Sequence, residues 1–176
     1  MQKKKIKTKK IAITGPESTG KSFLSKQLAA YFQTIWVPEF AREYLKELDR
    51  PYEENDILII AKGQLEKENS LLIEAKDYIF CDTEAIVTKI WSEVKYGRCH
   101  PWIEKQISIH PYDLYLLCNI DLPWENDPLR EHPDKREFLF KLYVKELNKH
   151  HLPYTVVSGT GNSRLHNAIK AIEEAF

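Results

Sequence analysis

The sequence predicts a three-layer α/β/α domain built around a parallel sheet of five strands. Short apolar stretches alternate along the chain with segments whose apolar residues recur at helical spacing, and strands separated by helices pair in parallel through right-handed crossovers. The pattern G-x-x-x-x-G-K-S at Gly15–Ser22 lies between the first apolar stretch, Ile11-Ala12-Ile13, and the first amphipathic segment. This order is typical of a phosphate-binding P-loop. The predicted fold is therefore a P-loop NTPase fold.

The predicted elements follow one another in a regular order. Strands are expected at about Lys10–Thr14, Thr34–Pro38, Tyr78–Cys81, Leu114–Asn119 and Tyr154–Ser158. Helices are expected from the P-loop to about Phe32, at Ala41–Leu48, Glu54–Ala75, Ala85–Val94 and Pro101–Ser108, in a segment ending near Lys149, and from about Ser163 to Glu174. In the longest helix, Gln64 and Glu68 share the apolar face that we expect to be buried. Parallel sheets of this kind bind ligands at the carboxyl ends of their strands.

The P-loop predicts binding of ATP. Its glycines let backbone N–H groups converge on phosphate oxygens, and the following helix adds a favourable dipole. Lys21 is expected to reach the β- and γ-phosphates, and the Ser22 hydroxyl to bind Mg²⁺. The alternative is a Gly/Ser turn that only caps a helix. The predicted ATP-binding residues are Gly15, Pro16, Glu17, Ser18, Thr19, Gly20, Lys21, Ser22 and Phe23, together with Thr160 and Asn162 in a loop expected to pass the adenine.

Two acidic residues follow predicted strands where functional groups should gather. Asp82 comes directly after Tyr78–Cys81 and is predicted to hold Mg²⁺, directly or through water, or to accept the proton of an attacking hydroxyl. It could instead cap the next helix, a role that Thr83 would serve equally well. Glu39 and, one turn later, Arg42 are expected to bind ribose hydroxyls or to position the attacking oxygen. Their alternative roles are a capping Glu and a surface Arg.

A Pro- and Trp-containing segment, residues 121–136, is predicted to form a lid. Arg130 and Arg136 would stabilise charge on the transferred phosphoryl group; surface salt bridges are the alternative, more so for Arg136. Trp124 could stack on a flat ring, including a cationic one, or pack in the core. Asp127 is expected to help close the acceptor site. Trp36 and Trp91 fall in predicted secondary structure and are interpreted as packing residues.

Composition and charge indicate which classes of protein the chain does not resemble. The formal net charge is zero, but residues 1–9 form a basic arm that precedes a single domain, residues 10–176. We interpret the arm as a solvated lead-in to the first strand and expect no nucleic-acid partner. No apolar run is long enough to cross a bilayer, and no secretory signal is visible. The three cysteines lack paired spacing and are typical of reduced thiols, so a cytoplasmic location is expected. Oligomeric state stays open.

With these residues in hand, the chain resembles the ribosylnicotinamide kinase domain of the bacterial NadR proteins. The matching stretches are Thr14–Ser22, Trp36–Leu45, Asp82-Thr83 with Val87-Thr88, Tyr112–Leu117 and Asp121–Arg130. The resemblance implies ATP-dependent phosphorylation of nicotinamide riboside at its 5′-hydroxyl, Mg²⁺ as cofactor, and a nucleoside-kinase type of sheet with strand three beside strand one. Phe23 and Pro128 depart from the pattern, and the signatures of an adenylyltransferase or a helix-turn-helix domain are absent.

Two other functions are compatible with these residues. One is a kinase for another nucleoside or nucleotide, and the other is a regulatory P-loop ATPase or binding module without a small-molecule acceptor. In the kinase hypothesis the catalytic residues are Lys21, Asp82, Glu39, Arg130 and Arg136. The substrate-binding residues are Glu39, Arg42, Asp82, Trp124 and Asp127. Little covalent chemistry is asked of these groups, because positioning and electrostatics dominate phosphoryl transfer.

Overall fold

The computed structural model describes residues 7–176, so most of the basic arm predicted at residues 1–9 lies outside the described residues. The strands are β1 (Lys9–Thr14), β2 (Ile35–Val37), β3 (Tyr78–Asp82), β4 (Leu114–Cys118) and β5 (Tyr154–Val157). The helices are α1 (Lys21–Tyr31), α2 (Phe40–Glu47), α3 (Glu54–Leu71), α4 (Ala85–Tyr96), α5 (Pro101–Ile109), α6 (Arg136–Lys149) and α7 (Gly161–Ala175). Within this range no helix is both long and apolar enough to cross a membrane.

The five strands form one parallel sheet in the order β2-β3-β1-β4-β5. This arrangement confirms the predicted parallel sheet and the placement of strand three beside strand one. The register between β1 and β3 pairs Ile13 with Asp82. Because the P-loop begins directly after β1, this register brings it to the end of β3. The chain therefore places its glycine loop and its strand-end acid side by side.

Helices cover both faces of the sheet, as the three-layer prediction requires. On one face, Ile11 and Ile13 of β1 pack with residues of α1 and α7. On the other face, Ala12 of β1 and Cys81 of β3 pack with residues of α4, α5 and α6. Strands buried on both faces read as continuous apolar runs, which explains why β1 and β4 were recognisable from the sequence.

Several predicted helix bounds differ from the structure by one to four residues, and two of them concern the longest and the last helix. The long helix ends at Leu71, and a single 3₁₀ turn, Leu72–Glu74, replaces its predicted last turn. The last helix begins at Gly161, two residues earlier than expected, because Thr160 and Ser163 form a reciprocal capping box. Gln64 and Glu68 are both buried, as the prediction for the inward face of α3 required.

A close contact between α2 and α3 fixes the helix that carries Arg42. Gly63 faces the Phe40 ring so closely that a Cβ atom at residue 63 would lie 2.2 Å from Cε1 of that ring. Next to it, the Phe40 backbone N–H donates a hydrogen bond of 2.8 Å to Oε1 of the buried Gln64. The start of α2 is therefore held by a packed ring and a buried amide.

We predict that Gly63→Ala destabilises the chain although alanine is the better helix former. Alanine gains about 1 kcal/mol of helix propensity over glycine, but the overpacked ring costs about 1–3 kcal/mol, so the free energy of unfolding should fall. Denaturant unfolding measures the change. In a Phe40→Ala background the Gly63→Ala change should cost nothing further, because the obstructing ring is gone. An equal cost in both backgrounds would contradict the contact.

Candidate active site

The P-loop has backbone angles that require glycine at its first position. Gly15 has φ of 132°, and a Cβ atom there would lie 2.9 Å from the Cys118 carbonyl oxygen. Inside the loop, the Thr19 hydroxyl donates to the Pro16 carbonyl at 2.8 Å. The Lys21 ammonium donates to the carbonyls of Gly15 and Pro16, both at 2.8 Å. The Lys21 side chain is thus folded back over the backbone of the P-loop.

Ser22 and Asp82 meet where the P-loop and β3 end. The Ser22 hydroxyl donates to Oδ2 of Asp82 at 2.5 Å, while Oδ1 of this buried carboxylate has no hydrogen-bond partner among residues 7–176. Burial, together with the negative charge of Glu39, raises the pKa of Asp82 to about 6, although Ser22 and Lys21 favour its ionised form. The two residues predicted to bind Mg²⁺ are therefore adjacent.

The helix after β3 is capped by Glu84, so the alternative role of Asp82 or Thr83 as its cap is not the one observed. Thr83 adopts a left-handed conformation with φ of 78°, and its hydroxyl has no partner within the described range. This turn moves the cap to Glu84, whose buried carboxylate accepts hydrogen bonds from the Ile86 N–H at 2.7 Å and from the Thr14 hydroxyl at 2.8 Å. Burial outweighs these bonds and raises the pKa of Glu84 to about 7.

Glu39 and Arg42 lie at the start of α2, beside the end of β2. Glu39 precedes the helix, but its side chain makes no capping hydrogen bond, so the alternative reading as a capping residue is wrong. The guanidinium of Arg42 donates to Oδ2 of Asp127 at 2.8 Å, and its Nε lies 3.9 Å from the Glu39 carboxylate. Arg42 therefore joins the lid to the helix of the predicted acceptor side.

The lid segment contacts the P-loop through two of the four variable residues of the loop, Glu17 and Ser18. The Glu17 carboxylate accepts the N–H groups of Glu131 and His132 at 3.2 and 3.0 Å. Arg130 donates to the Ser18 hydroxyl at 3.3 Å. Arg136, the first residue of α6, donates to the Ser18 carbonyl at 3.2 Å. Both predicted lid arginines thus reach the phosphate-binding loop.

A cavity of about 480 Å³ opens between the P-loop, α2, α4 and the lid. Its charged lining includes Glu17, Lys21, Lys26, Glu39, Arg42, Asp82, Glu125, Asp127, Arg130 and Glu131. Trp36 and Trp91 also line it, although sequence reasoning interpreted both as packing residues. The Trp91 indole N–H donates to the Tyr52 hydroxyl at 2.9 Å, which fixes the ring. The sequence did contain an indication that Trp91 faces the cavity. Trp91 lies four residues after Val87, so both residues share one face of the helix that follows Asp82.

Four predicted site residues are not among those that line the cavity, namely Trp124, Arg136, Thr160 and Asn162. The guanidinium of Arg136 lies over the Trp124 ring, with its Cζ 5.9 Å from the ring centroid, and the indole N–H donates to Asn126. Thr160 and Asn162 are exposed and follow β5, at the far end of the sheet from β2 and β3. The contact of Trp124 with the acceptor ring and that of Thr160 and Asn162 with the adenine stay predictions.

A family model described as an AAA domain matches residues 10–164 of this chain. The chain belongs to that family. It is also 29% identical over 174 residues to the trifunctional NAD biosynthesis/regulator protein NadR of Escherichia coli (strain K12). That match covers 93% of this chain but 42% of the relative, so the chain spans less than half of the length of the curated protein that it resembles.

Solved structures agree with the fold. A NadR protein crystallised with NR superposes with a TM-score of 0.81 at 22% identity, covering 96% of this chain and 52% of that one. A thymidylate kinase from Ehrlichia chaffeensis has a TM-score of 0.68 at 15% identity, covering 94% and 98%. The α/β P-loop kinase fold is confirmed, and with the family and sequence matches so is the predicted resemblance to NadR.

We predict that Glu84→Gln reduces the loss of stability as the pH rises. The folded-state pKa of Glu84 lies near 7, above its ordinary value of 4.5, so the folded chain holds this proton more tightly than the unfolded chain does. The free energy of unfolding should therefore fall between these pH values, by up to about 3 kcal/mol from this group. Urea unfolding at several pH values compares the slopes.

Glutamine keeps an oxygen that can accept from Thr14 and Ile86 but has no proton to lose, so the slope of the variant should be shallower. Glu174→Gln changes an exposed carboxylate and serves as the control. Equal slopes for the native chain and Glu84→Gln would contradict the burial argument.

Proposed function

We propose that this chain transfers the γ-phosphoryl group of ATP to the 5′-hydroxyl of nicotinamide riboside, giving nicotinamide mononucleotide. The observation that carries the proposal is the hydrogen bond between Ser22 and Asp82, which joins the P-loop to the strand-end acid in a cavity that also holds Glu39 and Arg42. A P-loop beside such a group of acceptor-side residues is what a kinase needs, whereas an ATPase needs only to position water. The relatedness to NadR supports the choice of acceptor.

On the donor side, the P-loop amides and Lys21 bind the phosphates. Arg130 and Arg136 approach the same loop from the lid, both through contacts with Ser18. Positive groups in this position neutralise the charge that spreads over the transferred phosphoryl oxygens. The lid also covers the loop, and exclusion of water strengthens each of these interactions.

The residues at the end of β3 fit a magnesium ion. Mg²⁺ prefers oxygen ligands and is commonly held by one or two protein groups together with substrate phosphates. Asp82 offers a buried carboxylate oxygen that has no hydrogen-bond partner in the described structure, and the Ser22 hydroxyl lies against its other oxygen. These two residues would hold the ion, which supplies charge neutralisation at the phosphates. Glu39 and Asp82 would orient the ribose hydroxyls and take up the proton of the attacking one.

The charges around the acceptor side favour a neutral or cationic acceptor over one that already carries a phosphate. Glu39, Asp127 and Glu131 line the cavity on this side, and the nearby cation Arg42 is engaged by Asp127. Because Asp127 and Glu131 are paired with Arg42 and Lys95, the carboxylates that a second phosphate would meet are chiefly those of Glu39 and Asp82. Trp91 offers the cavity an aromatic ring of the kind that binds a flat cation, whereas the Trp36 ring has the Lys26 ammonium 5.2 Å from its centroid. The competing hypothesis of a nucleotide kinase lacks such support.

The decisive measurement is phosphorylation of a panel of acceptors by the purified chain with ATP and Mg²⁺. Nicotinamide riboside should be the best acceptor, with other nucleosides weaker and nucleoside monophosphates weakest. Lys21→Ala should lose about 10²-fold or more of the turnover because it removes phosphate stabilisation. Preference for another nucleoside would contradict the proposed acceptor but would still support kinase activity. ATP hydrolysis that no acceptor stimulates would favour the regulatory ATPase.

We predict that Trp91→Ala raises the KM for the riboside by about tenfold, the loss expected for one cation–π contact, and leaves the KM for ATP unchanged. Initial rates at varied riboside and at varied ATP measure both constants. Trp91→Phe keeps an aromatic face and should retain most of the affinity. A lower melting temperature with an unchanged riboside KM would make Trp91 a packing residue.

Trp124→Ala tests the second predicted aromatic contact by the same assay. Because Trp124 lies against Arg136 and outside the cavity lining, an effect on riboside KM would require a contact made when substrate is bound. A fall in melting temperature alone would assign it to lid packing.

A further inference from the structure

Arg164 lies in the first turn of α7 and is 4% exposed. Its terminal nitrogens donate to three backbone carbonyls, those of Thr19 at 2.7 Å, Gly159 at 3.0 Å and Asn119 at 3.1 Å. They also donate to Oδ1 of Asp121 at 2.7 Å. One guanidinium thus connects the P-loop, the ends of β4 and β5, and the first residue of the lid. Arg164 has no part in the phosphate, Mg²⁺ or riboside binding proposed for the other residues.

The contact with Thr19 bears on phosphate binding because of peptide geometry. In a planar trans peptide the carbonyl of one residue and the N–H of the next point in opposite directions. Holding the Thr19 oxygen on the outer side of the loop therefore directs the Gly20 N–H to the inner side. Gly20 has φ of 74°, and glycine by itself imposes little restriction on this peptide. An external anchor is needed to keep the amide in one orientation.

We propose that Arg164 is a positioning residue for phosphate binding, which braces the P-loop from outside so that the Gly20 N–H faces the bound phosphates. This inference rests on the proposed use of the P-loop for ATP. Arginine suits the role because its planar fork presents donors in several directions at once, whereas lysine presents three donors on one atom. Asp121 offsets the buried charge and itself accepts the Gly159 N–H at 2.6 Å.

Two other roles for Arg164 make different predictions. A purely structural link between α7 and the sheet edge would affect stability without a selective effect on ligands. A brace of the loop around Asn119 and Gly159 alone would affect binding of the nucleoside part. Tripolyphosphate has phosphates and no nucleoside, so its binding distinguishes a role of Arg164 in phosphate binding from both of these alternatives.

Titration calorimetry with ADP and with tripolyphosphate tests the proposal on the whole chain. Arg164→Lys should weaken both ligands by the same factor, about tenfold, which corresponds to the net contribution of one charged hydrogen bond. Lys170→Ala, on the exposed face of the same helix, should bind both ligands as the native chain does. Melting temperatures recorded in parallel report stability separately.

Asp121→Asn provides a second variant that can keep an acceptor for Arg164 but removes the charge and the oxygen that accepts the Gly159 N–H. It should weaken both ligands in the same direction by about twofold to threefold, and it decides the question if Arg164→Lys does not fold. Unchanged affinities with a lower melting temperature would overturn the proposal, as would a loss confined to ADP. If the native chain binds neither ligand, the proposed ATP-dependent function fails together with the inference. If the native chain binds both ligands, the affinities of the variants decide whether Arg164 has the proposed role.

Discussion

The pairing of β1 with β3 determines where the charged groups of the candidate site lie. Its register sets Ile13 opposite Asp82, so the strand that leads into the P-loop ends beside the strand that ends in an acid. The Ser22–Asp82 and Thr14–Glu84 hydrogen bonds both follow from this neighbourhood. A sheet with strand two beside strand one would separate these residues by a strand width of about 5 Å.

The cluster of carboxylates at this edge opposes stability and serves the proposed function. Burial raises the pKa of both Asp82 and Glu84, which means that ionised carboxylates are held where neutral groups would be more stable. Proteins retain such groups where a ligand cation or a proton transfer uses them. In the described part of the chain one oxygen of Asp82 has no hydrogen-bond partner, whereas the Glu84 oxygens accept from Thr14 and Ile86. The first is suited to chemistry and the second to holding the P-loop strand.

The lid segment is connected to two sides of the cavity by short polar contacts. Glu17 and Ser18 hold it on the P-loop, and Arg42 of α2 holds it through Asp127. The lid contributes backbone N–H groups to Glu17, so the side chains at those lid positions are free to vary without losing the contact. Arg164, behind the same loop, adds a further connection between the P-loop and the beginning of the lid.

The sequence by itself determined the features that depend on neighbouring residues. Strand, glycine loop and helix are local, and so is the acid at the end of an apolar run; these identified the fold, Lys21, Ser22 and Asp82. The tertiary structure decided the features that join distant segments. Trp91 faces the cavity because of how α4 packs, Glu84 accepts from Thr14 because β1 pairs with β3, and Arg164 reaches a carbonyl 145 residues away. Helical periodicity shows that a face is buried, but only packing shows which neighbour or cavity that face meets.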